Sequence, residues 1–470
     1  MEQEPYIGRI RAYNAENPKT YRITTFGCQM NAHDSEKLAG MLAEMGYAPA
    51  VDEQSADLIV YNTCCVRESA ENRIFGNLGW LKHLKETRKD LRIAVCGCMA
   101  QRDSAVEKIR GTYQHVDIVF GTFNLHKFPQ LLCDNIETGS RIIDIWKEHG
   151  EFGETPDAWA GGVSQETRPA PALRADRHRA SVNIMYGCDN YCSYCIVPYV
   201  RGAERSRPHE EVVAEIANLA ADGAREILLL GQNVNSYRSD GKDFTGLLER
   251  ILGNPGCDGV RRIRFMTSHP KDVSDGLIGV IARSDRICKH FHLPVQSGST
   301  SVLSRMNRKY TKQGYLDLVG RIRDRIPGIA FTTDIIVGFP GETEADFQDT
   351  LGVVEKVRFH GAYTFLYSKR SGTPAAEMDG QVPEDIANGR FRRLLDAVNP
   401  IVLGRNREME GTVVKVLCDG FEIKDGTGII TGRADNNTIV HFHGDRELVG
   451  NIVNVRVTEG KPFYVMGEMT

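Results

Sequence analysis

From Tyr21 onward, short apolar runs alternate with stretches of helical periodicity. The first runs are Tyr21–Phe26, Leu58–Tyr61, Arg92–Cys96 and Val116–Phe120. Between the first two, Asp34–Met45 places apolar residues at i, i+3 and i+4 spacing before Gly46 ends it. Strands alternating with helices predict a parallel, doubly wound sheet. Residues 1–19 are polar and predict a weakly ordered lead-in. Residues 138–180 are rich in Pro and Gly, end in the basic run Arg174–Arg179, and predict a linker. Alternation resumes at Ser181, with strands predicted at 181–186, 226–231, 262–266, 291–295, 330–336 and 362–367. Helices are predicted between them at 209–222, 244–253, 273–283, 312–325 and 344–357. Six β/α units predict a partial TIM-like (β/α)6 barrel with its active site at the carboxyl ends of the strands. A long helix from Pro383 to about Arg407 then leads into short runs separated by Gly and Asn/Asp turns: Gly411–Leu417, Gly428–Thr431, Thr438–His441, Asn451–Val457 and Phe463–Val465. These predict a small antiparallel β-barrel that folds separately. The α/β chain thus divides into 20–137, a linker at 138–180, a barrel at 181–408 and a carboxy-terminal β-barrel at 409–470.

Composition narrows the class without naming a chemistry. A chain of 470 residues is too long for one core. The longest apolar runs, such as Ile227–Leu230, are far too short to cross a bilayer, so no membrane partner is expected. The start, Met1 to Pro5, has neither a basic nor an apolar signal region, which predicts no secretion. Net charge is −4, so no global basic field advertises nucleic acid, and RNA contacts must come from local patches. Twelve cysteines are too sparse for a disulfide scaffold. In a reducing cytoplasm, the expected location of this chain, clustered cysteine means metal or catalysis. A monomer is expected.

Two groups of thiols stand out. Cys188, Cys192 and Cys195 share one loop, spaced by three residues and then by two. A four-cysteine zinc site wants a fourth ligand at comparable spacing, and none follows in the next sixty residues. Three thiolates suit a cubane iron–sulfur cluster with one iron open to a substrate. The plainer alternatives are a zinc loop or three packing cysteines. The second group is dispersed: Cys28, Cys64 and Cys98 each fall within about three residues of a predicted strand end. Carboxyl ends along one edge would gather these thiols in one crevice, with Gly27 and Gly97 permitting tight turns. Cys65 adjoins Cys64 and Cys96 precedes Gly97, so either is an alternative ligand, although side chains alternate along extended chain.

Other candidates are placed by the barrel rule. Polar residues at strand carboxyl ends are Gln232, Asn233, Ser268, His269, Gln296, Ser297 and Asp334, and Arg205 is suited to pairing bidentately with a carboxylate. His269, His290 and His292 read as hydrogen-bonded structural residues, and Cys133, Cys257, Cys288 and Cys418 as packing residues.

The C-x-x-x-C-x-x-C loop, with Tyr194 before its last cysteine, resembles the radical S-adenosylmethionine superfamily. That resemblance implies an open iron that binds the amino and carboxylate groups of S-adenosylmethionine, and a reduced cluster that splits it to a 5′-deoxyadenosyl radical. Thr25–Asn31, Asn62–Cys64 and Gly97–Cys98 resemble the three cysteine motifs of the methylthiotransferase family. They imply a second, auxiliary 4Fe–4S cluster on Cys28, Cys64 and Cys98. Gly202–Arg207 and Leu293–Ser299 are similar to family motifs around S-adenosylmethionine. The expected cofactor contacts are then Tyr194, Arg205, Gln232, Asn233, Ser268, Gln296 and Asp334. Residues 411–467 resemble the TRAM domain, an RNA-binding barrel of tRNA-modifying enzymes. Residues 411–470 nevertheless hold six Lys/Arg against eight Asp/Glu, so RNA affinity there needs shape and aromatics more than charge.

Phe26–Asn31 looks most like the tRNA branch of the family, which places a methylthio group on carbon 2 of isopentenyl-modified adenosine beside the anticodon. The resemblance implies two S-adenosylmethionine molecules per product, one methylating the sulfur and one yielding the radical. Implied partners are tRNA, an electron donor such as flavodoxin or ferredoxin, and an iron–sulfur carrier. Alternatives within the family act on threonylcarbamoyl-adenosine of tRNA or on an aspartate of a ribosomal protein. The latter predicts residues other than Gln29-Met30-Asn31 after the first cysteine. A non-catalytic iron–sulfur carrier with an RNA-binding tail is the reading from another class, and an open-iron loop on a barrel face argues against it.

Overall fold

The computed structural model describes residues 3–65, 68–147, 174 and 176–470, which form two compact units. The first comprises the amino-terminal part of the chain with 186–189 and 196–207. The second comprises 176–185, 190–195 and 208–470.

The first unit is built on a six-stranded, wholly parallel sheet. Its strands are β1 (Lys19–Thr25), β2 (Tyr47–Pro49), β3 (Leu58–Thr63), β4 (Arg92–Gly97), β5 (Ile118–Phe120) and β6 (Ile142–Asp144), ordered β2-β1-β3-β4-β5-β6. Every residue of β3 is buried, the signature of a parallel strand covered on both faces. Ile59, Tyr61, Ile93 and Val95 pack into one core, and Leu58, Val60, Ala94 and Cys96 into the other. Helix α1 (Glu4–Glu16) corrects the expected lead-in: Ile7 and Ile10 are buried, and Asn14 Nδ2 donates to the Met45 carbonyl at 2.9 Å. Helix α2 (Gln29–Glu44) begins five residues before its apolar periodicity, directly after Cys28. Most of the expected linker lies outside the described residues, but its start supplies β6, so the sheet continues past 137.

In the second unit six parallel strands appear where alternation placed them: β7 (Arg179–Asn183), β8 (Glu226–Leu230), β9 (Arg262–Phe265), β10 (His290–His292), β11 (Ala330–Val337) and β12 (Gly361–Leu366). They pair as two three-stranded sheets, β9-β8-β7 and β10-β11-β12, with an Ile263–Ile287 bridge between the halves. Strand β10 is shorter than predicted, in keeping with Pro294, which lacks an N–H to donate. The helix at Asp275–Arg283 starts where the Ser274 hydroxyl caps the Leu277 N–H. Among the described residues no helix is long and apolar enough to cross a membrane.

The chain ends in a closed five-stranded barrel of β13 (Val413–Lys424), β14 (Thr427–Ala434), β15 (Ile439–His443), β16 (Ile452–Gly460) and β17 (Val465–Met469). It is not wholly antiparallel, because β15 and β17 close it in parallel. Nor is it merely appended. Arg262 donates to the carbonyls of Arg433 and Lys415, and Arg264 to those of Ala434 and Asp435. The Asp435 carboxylate accepts the Lys289 N–H at 3.0 Å. These contacts come from the amino ends of β9 and β10, so the small barrel sits opposite the edge where ligands bind in such folds. We expect the two barrels to melt as one cooperative unit. Calorimetry should show the remaining second-unit transition at lower temperature when the chain is truncated after Glu408. An unchanged transition would return the carboxy-terminal barrel to the status of an independent domain.

Candidate functional site

Register brings the dispersed thiols to one sheet edge. Thr25 pairs with Asn62, and Thr63 with Gly97, so β1, β3 and β4 end side by side. Cys28, Cys64 and Cys98 follow those ends. A Cβ on Gly27 would lie 2.7 Å from the Cys64 sulfur, and one on Gly97 2.4 Å from Asn62 Oδ1. Glycine is therefore required at both turns. At Gly97, φ of +92° takes the chain out of the strand. Cys96 and Cys98, two residues apart, consequently face opposite cores: Cys96 lies with Leu58 and Val60, Cys98 with Tyr61 and Val95. Cys96 is thus a packing residue, and burial pushes its thiol up. Cys65 is not excluded in the same way, since its thiol hydrogen-bonds Cys98.

A buried cation completes this edge. Arg201, in the short helix Val197–Arg201, donates from Nε to Cys98 Sγ at 3.2 Å. Its terminal nitrogen donates to Asn31 Oδ1 at 2.7 Å and Asp34 Oδ2 at 3.0 Å. The Cys65 hydrogen bond and then Arg201 pull the Cys98 thiol down to about 6, although burial raises it. Burial works against the charge on Arg201, but Cys98, Asp34 and Cys28 outweigh it. Asn31 also donates to the Phe26 and Thr63 carbonyls, both at 2.9 Å, tying the ends of β1 and β3 together. Thiols at three neighbouring strand ends, one environment favouring the thiolate, and no Cβ at either turn fit a three-cysteine cluster.

The consecutive cysteines divide between the two units. Cys188 groups with the first, where its N–H bonds the Gly202 carbonyl at 3.2 Å. Cys192 and Cys195 group with the second, their backbone joined by a 2.8 Å hydrogen bond from Cys195 N to Cys192 O. Ser193 fastens this turn by bonding the carbonyls of Arg305 and Met306. Arg308, only 8% exposed, donates to Cys192 Sγ at 3.4 Å, to the Pro294 carbonyl at 3.0 Å and to the Tyr310 hydroxyl at 2.9 Å. Tyr194 packs with Val302, Met306 and Phe339.

Barrel candidates fare unequally. Ser268 is buried, and its hydroxyl has no hydrogen-bond partner among the described residues, as expected of a group awaiting a ligand. Asn233 is committed, donating to Asp272 at 2.7 Å and accepting the His269 N–H at 3.0 Å. Gln296 sits at φ +65° and Thr267 at +67°, left-handed backbone at strand ends of the kind that marks functional edges. Asp334 lies 3.6 Å from His292. Gln232 follows β8, and Arg205 belongs to the first unit. The histidines are hydrogen-bonded: His290 and His292 both bond the Thr332 hydroxyl. His269 accepts from the Lys271 N–H, and burial, then Arg308, holds it neutral down to about 2. Three residues escaped sequence reasoning: Arg201, Arg308 and buried Asn235, whose amide lacks a partner among the described residues.

Three family models match in succession: the uncharacterized protein family UPF0004 over residues 20–121, the Radical SAM superfamily over 182–354 and the TRAM domain over 407–470. A tRNA-2-methylthio-N(6)-dimethylallyladenosine synthase of Acetivibrio thermocellus is 50% identical, covering 99% of this chain and 95% of its own. The synthase of Lachnoclostridium phytofermentans is 51% identical over 96% of each chain. In structure, a radical S-adenosylmethionine methyltransferase of Kitasatospora setae with cobalamin and a [4Fe-4S] cluster superposes with a TM-score of 0.54 at 16% identity, covering 76% of this chain and 74% of that one. At that identity the likeness speaks to the fold alone.

Proposed function

The chain belongs to the tRNA-2-methylthio-N6-dimethylallyladenosine synthases, methylthiotransferases of the radical S-adenosylmethionine superfamily, and from that membership we propose how its residues divide the work. It is an enzyme that puts a methylthio group on carbon 2 of N6-dimethylallyladenosine in tRNA, using S-adenosylmethionine and iron–sulfur chemistry. In our reading Cys188, Cys192 and Cys195 hold one 4Fe–4S cluster, and Cys28, Cys64 and Cys98 hold an auxiliary one. When bound, these groups supply reductive cleavage of S-adenosylmethionine and a transferable sulfur, with a second S-adenosylmethionine as methyl donor. Radical chemistry is demanded because the carbon 2 hydrogen is not acidic enough for a side-chain base to remove.

The protein's own part is to bind and orient. Arg308 and Arg201 set cations against Cys192 and Cys98. Ser268 and Asn235 offer uncommitted buried polar atoms to S-adenosylmethionine, and Tyr194, Arg205, Gln232, Gln296 and Asp334 are the other contacts we assign to it. Asn233, already bonded on both sides of its amide, orients its neighbours. The domains at 20–137, 181–408 and 409–470 correspond to sulfur supply, radical generation and RNA contact. The electron donor is of the flavodoxin or ferredoxin kind, an iron–sulfur carrier restores the auxiliary cluster, and the chain works as a cytoplasmic monomer.

The observation that carries this reading is the edge of the amino-terminal sheet. There three thiols follow neighbouring strand ends, and a buried guanidinium paired with Asp34 also reaches the Cys98 sulfur. The test is nucleoside mass spectrometry of tRNA from a deletion strain, which should show dimethylallyladenosine without its methylthio form. After anaerobic reconstitution the chain should contain about eight iron and eight sulfide, four of each per cubane. Four of each would remove the second cluster, and one equivalent of zinc would make one site structural.

A further inference from the structure

We propose that Arg201 is a positioning residue for the auxiliary cluster: a fixed buried cation that offsets the charge of three thiolate ligands and sets the cluster's reduction potential. This rests on the assignment of Cys28, Cys64 and Cys98 as ligands. It goes beyond that assignment by giving a task to a residue that is no ligand and lies outside the cysteine motifs.

The geometry separates this role from ordinary packing. Arg201 pairs with the Asp34 carboxylate, as a guanidinium placed for stability would, but it also spends its Nε–H on a sulfur, 3.2 Å from Cys98 Sγ, with the side chain only about 7% exposed. Its other bonds lock that aim. Asp34 accepts at 3.0 Å and Asn31 at 2.7 Å, while the Asn31 amide is itself pinned to the ends of β1 and β3. The guanidinium therefore cannot swing away from Cys98 without breaking the polar network that aligns the strand ends. Helix α2 also begins at Cys28, so the positive end of its dipole faces the same edge.

Reduction adds one negative charge to a cluster that thiolates already make anionic. Hydrogen bonds to the sulfurs and nearby positive charge are among the levers that decide how readily that charge is accepted. A buried cation held beside a ligand sulfur stabilises the reduced form preferentially, because its attraction grows with the charge it faces.

The experiment compares full-length reconstituted wild type, Arg201→Met and Arg201→Lys by redox titration monitored by electron paramagnetic resonance, with iron content and melting of the iron-free forms. Arg201→Met should lose at least tenfold in preference for the reduced auxiliary cluster. For a one-electron couple that is a negative shift of about 59 mV. Arg201→Lys, which keeps the charge without the fork, should recover part of it. An Arg201→Met protein that melts like wild type without iron but fails to retain the cluster, while Arg201→Lys retains it, supports the same role. An unchanged potential and iron content in Arg201→Met overturns the proposal. So does equal failure of both variants with an unfolded iron-free chain, which would make Arg201 a packing residue. If wild type itself binds only four iron, the auxiliary site is what fails, and the two failures are thereby distinguished.

Discussion

A chain with Cys188, Cys192 and Cys195 all changed to Ala is expected to make neither 5′-deoxyadenosine nor methylthiolated tRNA. One with Cys28, Cys64 and Cys98 changed to Ala should still make 5′-deoxyadenosine but no methylthio product. Cys188 shares the first unit with Cys28, Cys64 and Cys98, but Cys192 and Cys195 belong to the second, so the two groups should fail differently. The first group occupies one loop, with Cys192 held by Arg308 and the turn fastened through Ser193 to Arg305 and Met306. The second group depends on those ends and on Asn31, which ties two of them together. Chromatography of adenosine products and mass spectrometry of tRNA nucleosides, run on both variants with chemical reductant, read the two steps separately. Methylthio product from the amino-terminal variant would remove Cys28, Cys64 and Cys98 from sulfur delivery. Absence of 5′-deoxyadenosine from wild type would favour a non-catalytic carrier.

A companion change refines the ligand set. Cys65 hydrogen-bonds Cys98, whereas Cys96 faces the opposite core. In the experiment above, single Cys65→Ala and Cys96→Ala chains serve as controls that should retain the auxiliary iron. Alternation along the strand did not anticipate why Cys96 drops out. Cys96 and Cys98 have the same parity and would point the same way in a continuing strand. The left-handed turn at Gly97 separates them.

What the sequence made legible was whatever burial writes into hydrophobic pattern. Leu58–Tyr61 reads as a strand because both faces of the observed Leu58–Thr63 are covered, and the six barrel strands because apolar runs recur between amphipathic helices. Buried polar residues hid the rest. The first turns of α2 contain Asn31, His33 and Asp34, all buried and two of them bonded to Arg201, so apolar periodicity starts late. Arg201 and Arg308 were illegible for a related reason. A lone arginine in sequence reads as solvated, and only tertiary structure shows it aimed at a sulfur. In Arg262-Ile-Arg-Phe265 both arginines are buried beneath the carboxy-terminal barrel, a cover that only tertiary structure shows.

That covered face gives the largest expected effect on stability. Replacing Glu226 with Ala should cost about 3–5 kcal/mol, because it leaves buried guanidinium charge uncompensated. Glu226 is 2% exposed, at the start of β8, and bridges two arginines, with Arg264 Nε at 2.8 Å and Arg179 Nε at 3.2 Å. Arg264 in turn donates to the carbonyls of Ala434 and Asp435, and Arg179 to the Asp419 carboxylate at 2.8 Å. One carboxylate thus aligns two of the three arginines, Arg179 and Arg264 beside Arg262, that seat the small barrel on the large one. Burial alone would raise the Glu226 carboxyl, but Arg264 and then Arg179 outweigh it and hold it below the usual range. The sign of the pH dependence follows. A carboxyl held low in the folded chain contributes stability that is full above its unfolded value, about 4.3 for Glu, and is lost as pH falls through the folded value. Melting of iron-free wild type and Glu226→Gln should therefore differ by a constant gap from pH 7 to about 5, and the gap should narrow under stronger acid. Replacing Glu226 and Arg264 together by apolar residues should be milder than either single change, since the uncompensated charge goes with its partner. A single-site loss no larger than that of an exposed ion pair, about 1 kcal/mol or less, would show that apolar packing rather than this bridge fixes the seam.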